Sequence, residues 1–265
     1  MTISRLGRAE YDKLDAVNWS TLKHLMRSPA HYRAAMLGKS EDTPALKMGR
    51  AIHLAAFEPE RWKSDVAIWD GGRRFGKEWD TFQADHRGLE LLKTDEAEEA
   101  LAIGEAARAA AGTLMAKGQR ELTLQWKHAN GLPARGRVDF LSEQHGVVDL
   151  KTTTDASPDG FGRQAARYGY VVQAAYYVDG IEAITGKRVG YTLVAIEKRR
   201  PYVSGIYPLT EDHLELGRSI YVPLLERLKA CIDAHDWPGY ESQPLRLPKW
   251  AMPFDDDAGQ GLDWS

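Results

Sequence analysis

"GRVDFLSEQHGVVDLKTTTD", residues 136–155, decides how this chain is read. Two apolar runs flank a polar SEQH, the pattern of a β-hairpin. Alternation along the second run puts Val147, Asp149 and Lys151 on one face and Val148 and Leu150 on the other. A turn symmetric about Gln144 then sets Asp139 directly opposite Asp149. Cross-strand partners have Cβ atoms roughly 4.5–5.5 Å apart, and like charges at that spacing repel. A cation belongs between them. Lys151 lies two residues along the same strand, roughly 7 Å by strand rise, too far to serve alone.

A hard divalent cation answers better. Mg²⁺ takes oxygen ligands and is commonly held by one or two protein carboxylates together with substrate phosphate. The preceding stretch RELTLQWKH (120–128) sets Leu122, Leu124 and Trp126 against Glu121, Thr123 and Gln125. With a turn near Asn130, Glu121 falls close to Asp139 as a third acid. Two acids and a lysine in the order D-x9-D-x-K suit phosphodiester hydrolysis. The lysine orients or helps deprotonate a water and offsets charge in the transition state, while metal ions activate water and stabilise the leaving oxygen. An Asp-x-Lys on a strand is ordinarily a solvated ion pair. Here the neighbouring Val147, Val148 and Leu150 point to a buried strand, where unpaired acids are costly.

Working outward, the N-terminal third is helical. NWSTLKHLMRSPAHYRAAMLG (18–38) offers Ser20 as a helix cap and a break at Ser28-Pro29, and ALKMGRAIHLAAFEPERW (45–62) runs to a stop near Pro59. WDGGRRFGKEWDTFQADHRG (69–88) breaks at Gly71-Gly72 before a basic, aromatic stretch expected to be mobile. A long helix follows from Thr94 to about Lys117. After the hairpin come a helix from about Phe161 to Ile184, strands in VGYTLVAIEK (189–198) and YVSGIYPL (202–209), and a helix over 211–234. A helix between the strand ending at Lys151 and the one starting near Val189 suits a right-handed parallel crossover. The expected fold is α/β, a mixed central sheet flanked by helices. One domain is expected over 1–250, with a helical part at about 15–117 and a core at about 118–235. Residues 251–265 are expected to form an acidic, flexible tail.

Composition narrows the function. The 265 residues, 43% of them hydrophobic, can build a real core. A net charge of -3 does not draw the whole molecule to a polyanion, so DNA contact needs local basic patches. Those patches are Arg73, Arg74 and Lys77; Arg163 and Arg167; and Lys198, Arg199 and Arg200. Phe75 and Trp79 are placed to stack on or wedge an unpaired end. The single Cys231 excludes an internal disulfide, a four-thiolate zinc site and an iron–sulfur cluster on four cysteines. No apolar run approaches the roughly 20 residues of a membrane span, and the first 15 residues lack the apolar core of a signal peptide. A reducing, cytoplasmic setting without membrane contact is expected.

At RVD (137–139) and VDLK (148–151) the chain resembles the split motif of the PD-(D/E)XK nuclease superfamily. Val138 stands where many members have proline, and Asp149 is the acid commoner in the branch with RecB nuclease domains. MGRAIHLAAFEP (48–59) is similar to the upstream helix motif of the RecB-like and RecE-like branch, whose histidine, here His53, adds a metal ligand. Among Ile52, Leu54 and Ala55, such a histidine is otherwise a packed core residue. VVQAAYYVDG (171–180) resembles a Gln-x3-Tyr motif that maps to Gln173 and Tyr177, four apart on one helix face. RRFGKEWDTF (73–82), VAIEKRRPY (194–202) and WPGYESQPLRLPKW (237–250) look like segments of RecE-like, exodeoxyribonuclease VIII-like exonucleases of phages and prophages.

That resemblance implies a Mg²⁺-dependent DNA exonuclease, with Mn²⁺ as substitute, acting in the cytoplasm of a bacterial host. It would digest double-stranded DNA ends 5′ to 3′ and hand single strands to an annealing protein. Some relatives form homo-oligomeric rings. His53, Asp139, Asp149 and the Leu150 carbonyl would hold the metal, with Glu121 assisting directly or through water. Lys151 would be catalytic, supported by Gln173 and Tyr177. For these to converge, His53 must lie on the same side of the sheet as Asp149. Two alternatives remain open: a structure-specific or single-strand endonuclease with the same site, and a non-catalytic DNA-binding recombination scaffold.

Overall fold

The computed structural model describes residues 1–38 and 42–248, so the tail expected over 251–265 lies outside the described residues. The chain begins with β1 (Thr2–Ser4) and a helical series, α1 (Arg8–Asp12), α2 (Trp19–Leu22), α3 (Pro29–Leu37), α4 (Pro44–Phe57) and α5 (Trp62–Asp65). There follow β2 (Val66–Trp69), α6 (Lys77–Asp85), β3 (Glu90–Lys93) and α7 (Thr94–Ala111). The core continues as β4 (Gly118–Lys127), β5 (Pro133–Ser142), β6 (Gly146–Thr153), α8 (Pro158–Tyr168), α9 (Tyr170–Thr185), β7 (Tyr191–Glu197), β8 (Ser204–Pro208) and α10 (Glu211–Ala234). One mixed sheet runs in the order β1-β4-β5-β6-β7-β8, and β2 and β3 form a separate parallel pair.

Local chemistry sets these boundaries. Ser28 accepts the His31 N–H ahead of Pro29, and Thr43 accepts the Leu46 N–H ahead of Pro44, each a capping side chain followed by proline at the first helical position. Ser20 does not cap its helix. Asn18 does, accepting the Thr21 N–H at 2.8 Å, while Ser20 sits inside the first turn and donates to Asn18. The helix expected over 161–184 is two helices, parted at Gly169 with φ 70°, where a side chain would also strike the Trp19 ring. Within the stretch expected to be mobile, 77–85 is helical, and its flanks supply β2 and β3. Those strands have four residues each, too short to display a period.

Two apolar layers sandwich the sheet. Helix α9, backed by α10, covers Leu122, Leu124, Trp126, Val138, Val147, Tyr191 and Leu193, whereas α4 and α7 cover Phe140, Val148, Leu150, Val194 and Ile196. The expected crossover is present: α8 and α9 connect β6 to its parallel neighbour β7.

Two irregularities in this sheet create the site. Strands β5 and β6 pair as Phe140↔Val148, Leu141↔Val147 and Ser142↔Gly146, then part, leaving a fork. Beyond the fork, β5 pairs instead with Val17, whose N–H and carbonyl bond Pro133 and Arg135. On its other side the β4–β5 ladder skips Glu121 and Asp139, running from Arg120↔Phe140 to Leu122↔Val138. Glu121 has φ 50°, in the left-handed region. Strand alternation slips there, for Val138 and Phe140 are two apart yet pack in opposite layers.

Candidate metal centre and catalytic site

The fork leaves the first N–H of β6 beyond the ladder without a strand partner, and Asp139 replaces that partner. Its Oδ2 accepts the Leu150 N–H at 2.9 Å. One turn of α4 beyond Arg50, which Glu90 and Asp42 anchor, His53 reaches the same point. His53 Nε2 is 3.1 Å from the Leu150 carbonyl oxygen, and Nδ1 is 3.4 Å from Asp139 Oδ1. Glu121 enters from the skipped position on β4. Ligand atoms of His53, Glu121 and Asp139 all lie within 4.8 Å of one another.

Asp149 stands on the other side of this group. It is 2% exposed, and Lys151 Nζ lies 2.7 Å from its Oδ2. Lys151 thus reaches Asp149 although strand rise alone put it too far away, and that expectation is corrected. The layer holding α4 covers Val148 and Leu150, whereas alternation turns Val147, Asp149 and Lys151 toward α9. His53 therefore approaches from the face opposite to Asp149, and the expectation of a single side is corrected. The two halves meet because the sheet is open at the fork, where the His53 and Asp149 charges still act on each other.

The ionisation states follow from this crowding. Burial disfavours the His53 imidazolium, but Asp139 and Glu121 outweigh it and push His53 up to about 9. Asp139 is held below the usual carboxylate range, since His53, Lys151 and the Leu150 N–H overcome its burial. Burial and Asp139 raise Glu121. Burial pushes Asp149 up to about 6, with Asp139 adding to it and Lys151 opposing. Lys151 is raised, its burial outweighed by Asp149 and Asp139, so without a bound ion it is an ammonium. The donors of His53, Glu121 and Asp139, with the Asp149 carboxylate alongside, fit a hard divalent cation with tolerance for nitrogen.

Gln173 and Tyr177 brace the wall facing α9. Gln173 Nε2 donates to the Tyr177 hydroxyl at 3.1 Å, and the Tyr177 ring lies so close to Gly136 that a Cβ there would fall 2.7 Å from it. Tyr170 was not anticipated. Lys151 Nζ sits 5.0 Å from its ring centroid, a cation–π contact. Its spacing was readable, since 170, 173 and 177 form one helical stripe. Gln164, which bonds the Thr152 carbonyl, Thr153 Oγ1 and the Tyr170 hydroxyl, carried no such signal.

Among the basic candidates, Arg73, Lys77, Arg163, Arg167, Lys198, Arg199 and Arg200 are exposed. Arg74 is engaged within the fold: it pairs with Glu96, donates to the Leu91 carbonyl and lies over the Trp79 ring. Trp79 is 7% exposed, packed against Trp69 and Phe82, so it is core and cannot stack on DNA. Phe75, 67% exposed, remains available. Among the described residues, no helix is long and apolar enough to cross a membrane.

A family described as "PDDEXK-like domain of unknown function (DUF3799)" matches residues 18–245. Among solved structures, a protein described as "Putative exonuclease" from Eubacterium rectale superposes with a TM-score of 0.65 at 15% identity, covering 92% of this chain and 96% of that one. A phage related exonuclease from Haemophilus somnus 129PT gives a TM-score of 0.39 at 12% identity, over 83% of this chain and 96% of the other. No match is found among curated proteins.

Proposed function

The chain belongs to the family of PDDEXK-like domains, and we propose that it is a divalent-metal-dependent DNA exonuclease that digests linear duplex DNA from its ends. The observation that carries this reading is the convergence of His53, Glu121 and Asp139 at the fork, with Asp149 and Lys151 alongside. In this reading His53, Asp139, Asp149, Glu121 and the Leu150 carbonyl hold Mg²⁺ or Mn²⁺. Bound there, the ion would lower the pKa of a water and offset charge on the leaving oxygen.

The chain's own residues do the rest. Asp139 fixes the fork through Leu150 while aiming its second oxygen at His53. His53 must give up a proton to act as a ligand, so metal binding releases protons. Lys151, held by Asp149 and the Tyr170 face, places its ammonium against the incoming phosphate, orients the attacking water and offsets the charge that develops. Gln173 and Tyr177 keep β5 at a fixed distance from α9. The exposed arginines and lysines track the DNA backbone.

The finer parts of the reading come with the likeness to RecE-like exonucleases. These are Mg²⁺ as the native ion, 5′ to 3′ digestion, transfer of single strands to an annealing protein, a ring assembly, and a phage or prophage origin in a bacterial cytoplasm. The test compares linear with covalently closed circular duplex DNA, in Mg²⁺, Mn²⁺ or EDTA, for the wild type and Lys151→Ala. Linear DNA should shorten only with metal, circles should persist, and Lys151→Ala should lose about 10²–10³-fold in rate. Cut circles would favour the endonuclease alternative. Wild type and variant equally inert in both metals would end the nuclease reading.

A further inference from the structure

We propose that Tyr168 is a stacking platform for an unpaired nucleobase of the strand being cut. This rests on the nuclease reading and adds a binding subsite to it. Starting at the catalytic lysine, Lys151 Nζ lies 5.0 Å from the Tyr170 ring centroid. Tyr170 in turn stacks on Tyr168, with centroids 5.8 Å apart and planes 21° apart. The Arg167 guanidinium lies 5.9 Å from the Tyr168 centroid. An aromatic and cationic surface thus runs from the reacting centre outward.

The platform is rigid on its inner side and open on its outer side. Tyr170 is fixed by Gln164, which donates to its hydroxyl at 3.3 Å and is itself tied to Thr152 and Thr153 of β6. Phe161 packs beside it with centroids 6.1 Å apart. Tyr168 by contrast is 52% exposed. Gly169, with φ 70° and ψ 37°, turns the chain between α8 and α9 so that both rings stack. The exposed half of Tyr168 adds nothing to the core.

Charge selects the partner. Arg163 and Arg167 are one helical turn apart on α8 and both exposed. A phosphodiester flanking the stacked base would satisfy them. An aromatic face binds any base that has left its pair, because every base has a π-face, so the subsite favours an unpaired end without reading sequence.

The test uses the Lys151→Ala protein in EDTA, so that residual cleavage is suppressed, and fluorescently labelled duplexes with a short unpaired end. Each is made with normal bases and with an abasic position in that end. Adding Tyr168→Ala should weaken binding of the normal unpaired-end DNA about 5-fold to 150-fold, and Tyr168→Phe should stay within about twofold. One abasic position should cost the parent a similar factor and should cost the Tyr168→Ala protein almost nothing. Melting curves of the variants should match, since the ring is half exposed. Equal affinity of Tyr168→Ala and its parent, or an abasic penalty that persists in Tyr168→Ala, would overturn the proposal while cleavage by the wild type still upheld the nuclease reading. Absence of both cleavage and DNA binding would remove the two together.

Discussion

Asp139 accepts the backbone N–H of Leu150 at 2.9 Å where β5 and β6 part. One oxygen of a candidate metal ligand thus closes the end of a ladder, and the other faces His53 at 3.4 Å. Asp139→Asn keeps the shape but removes the charge that stabilises the imidazolium. Metal affinity should fall by at least 10–100-fold, measured by Mn²⁺ titration, and the Leu150 N–H should become less protected from hydrogen exchange at the fork.

Glu121 holds a left-handed backbone for the sake of its side chain. Glu121→Gly should relieve about 1 kcal/mol of strain and remove a like charge beside Asp139, so the metal-free variant melts at an equal or higher temperature. The same variant should lose Mn²⁺ affinity. Lower stability together with undiminished metal binding would contradict this role.

Gly136 lies under the Tyr177 ring, and an added methyl would meet it at 2.7 Å. Gly136→Ala should cost about 1–3 kcal/mol by overpacking, read from denaturant unfolding. Because the displaced ring is bonded to Gln173, cleavage should fall by more than the loss of folded protein explains.

The pH dependence has a definite sign. Asp149, raised to about 6, stabilises the metal-free fold below its ordinary value near 3.8 and ceases to as pH rises through 6. His53, raised to about 9, stabilises it below 6.5 and ceases to as pH rises through 9. Both contributions disappear in the same direction, so in EDTA the melting temperature should fall between pH 5 and 9. Divalent metal binds the deprotonated ligands, so its stabilising effect should grow over that window. A metal-induced shift that is constant with pH would contradict the assignment.

The basic residues separate into two kinds. Arg74→Ala should lower stability, since it breaks the pairing with Glu96, and should leave the salt dependence of DNA binding unchanged. Arg73→Ala or Arg163→Ala should leave stability unchanged and reduce the slope of log affinity against log salt by about 1.

Much of the site was legible because a hairpin fixes register from few residues. The turn centred on Gln144 gives the observed Phe140↔Val148 pairing, but the strands part before the expected Asp139–Asp149 pair forms, and the turn near Asn130 brings Glu121 to Asp139. The change of face at Glu121 and Asp139 was not legible, because period-two alternation assumes extended backbone throughout and a glutamate gives no hint of a positive φ. Convergence of His53 with Asp149 was expected to need one side of the sheet, whereas an open sheet lets opposite layers meet. Arg74 and Trp79 looked available for DNA because sequence shows charge and aromaticity without partners, and Glu96, Trp69 and Phe82 supply those partners. Three-residue β1 and four-residue β2 and β3 are too short for a periodic signal.

Anomalous diffraction from crystals soaked in Mn²⁺ reads out directly whether a divalent cation binds at the fork. A peak is expected within coordination distance of Asp139, Glu121 and His53, with Asp149 and the Leu150 carbonyl facing it, and it should be lost in Asp139→Asn. A Mn²⁺ peak elsewhere, or none at the fork in a protein that digests DNA with Mn²⁺, would contradict this site.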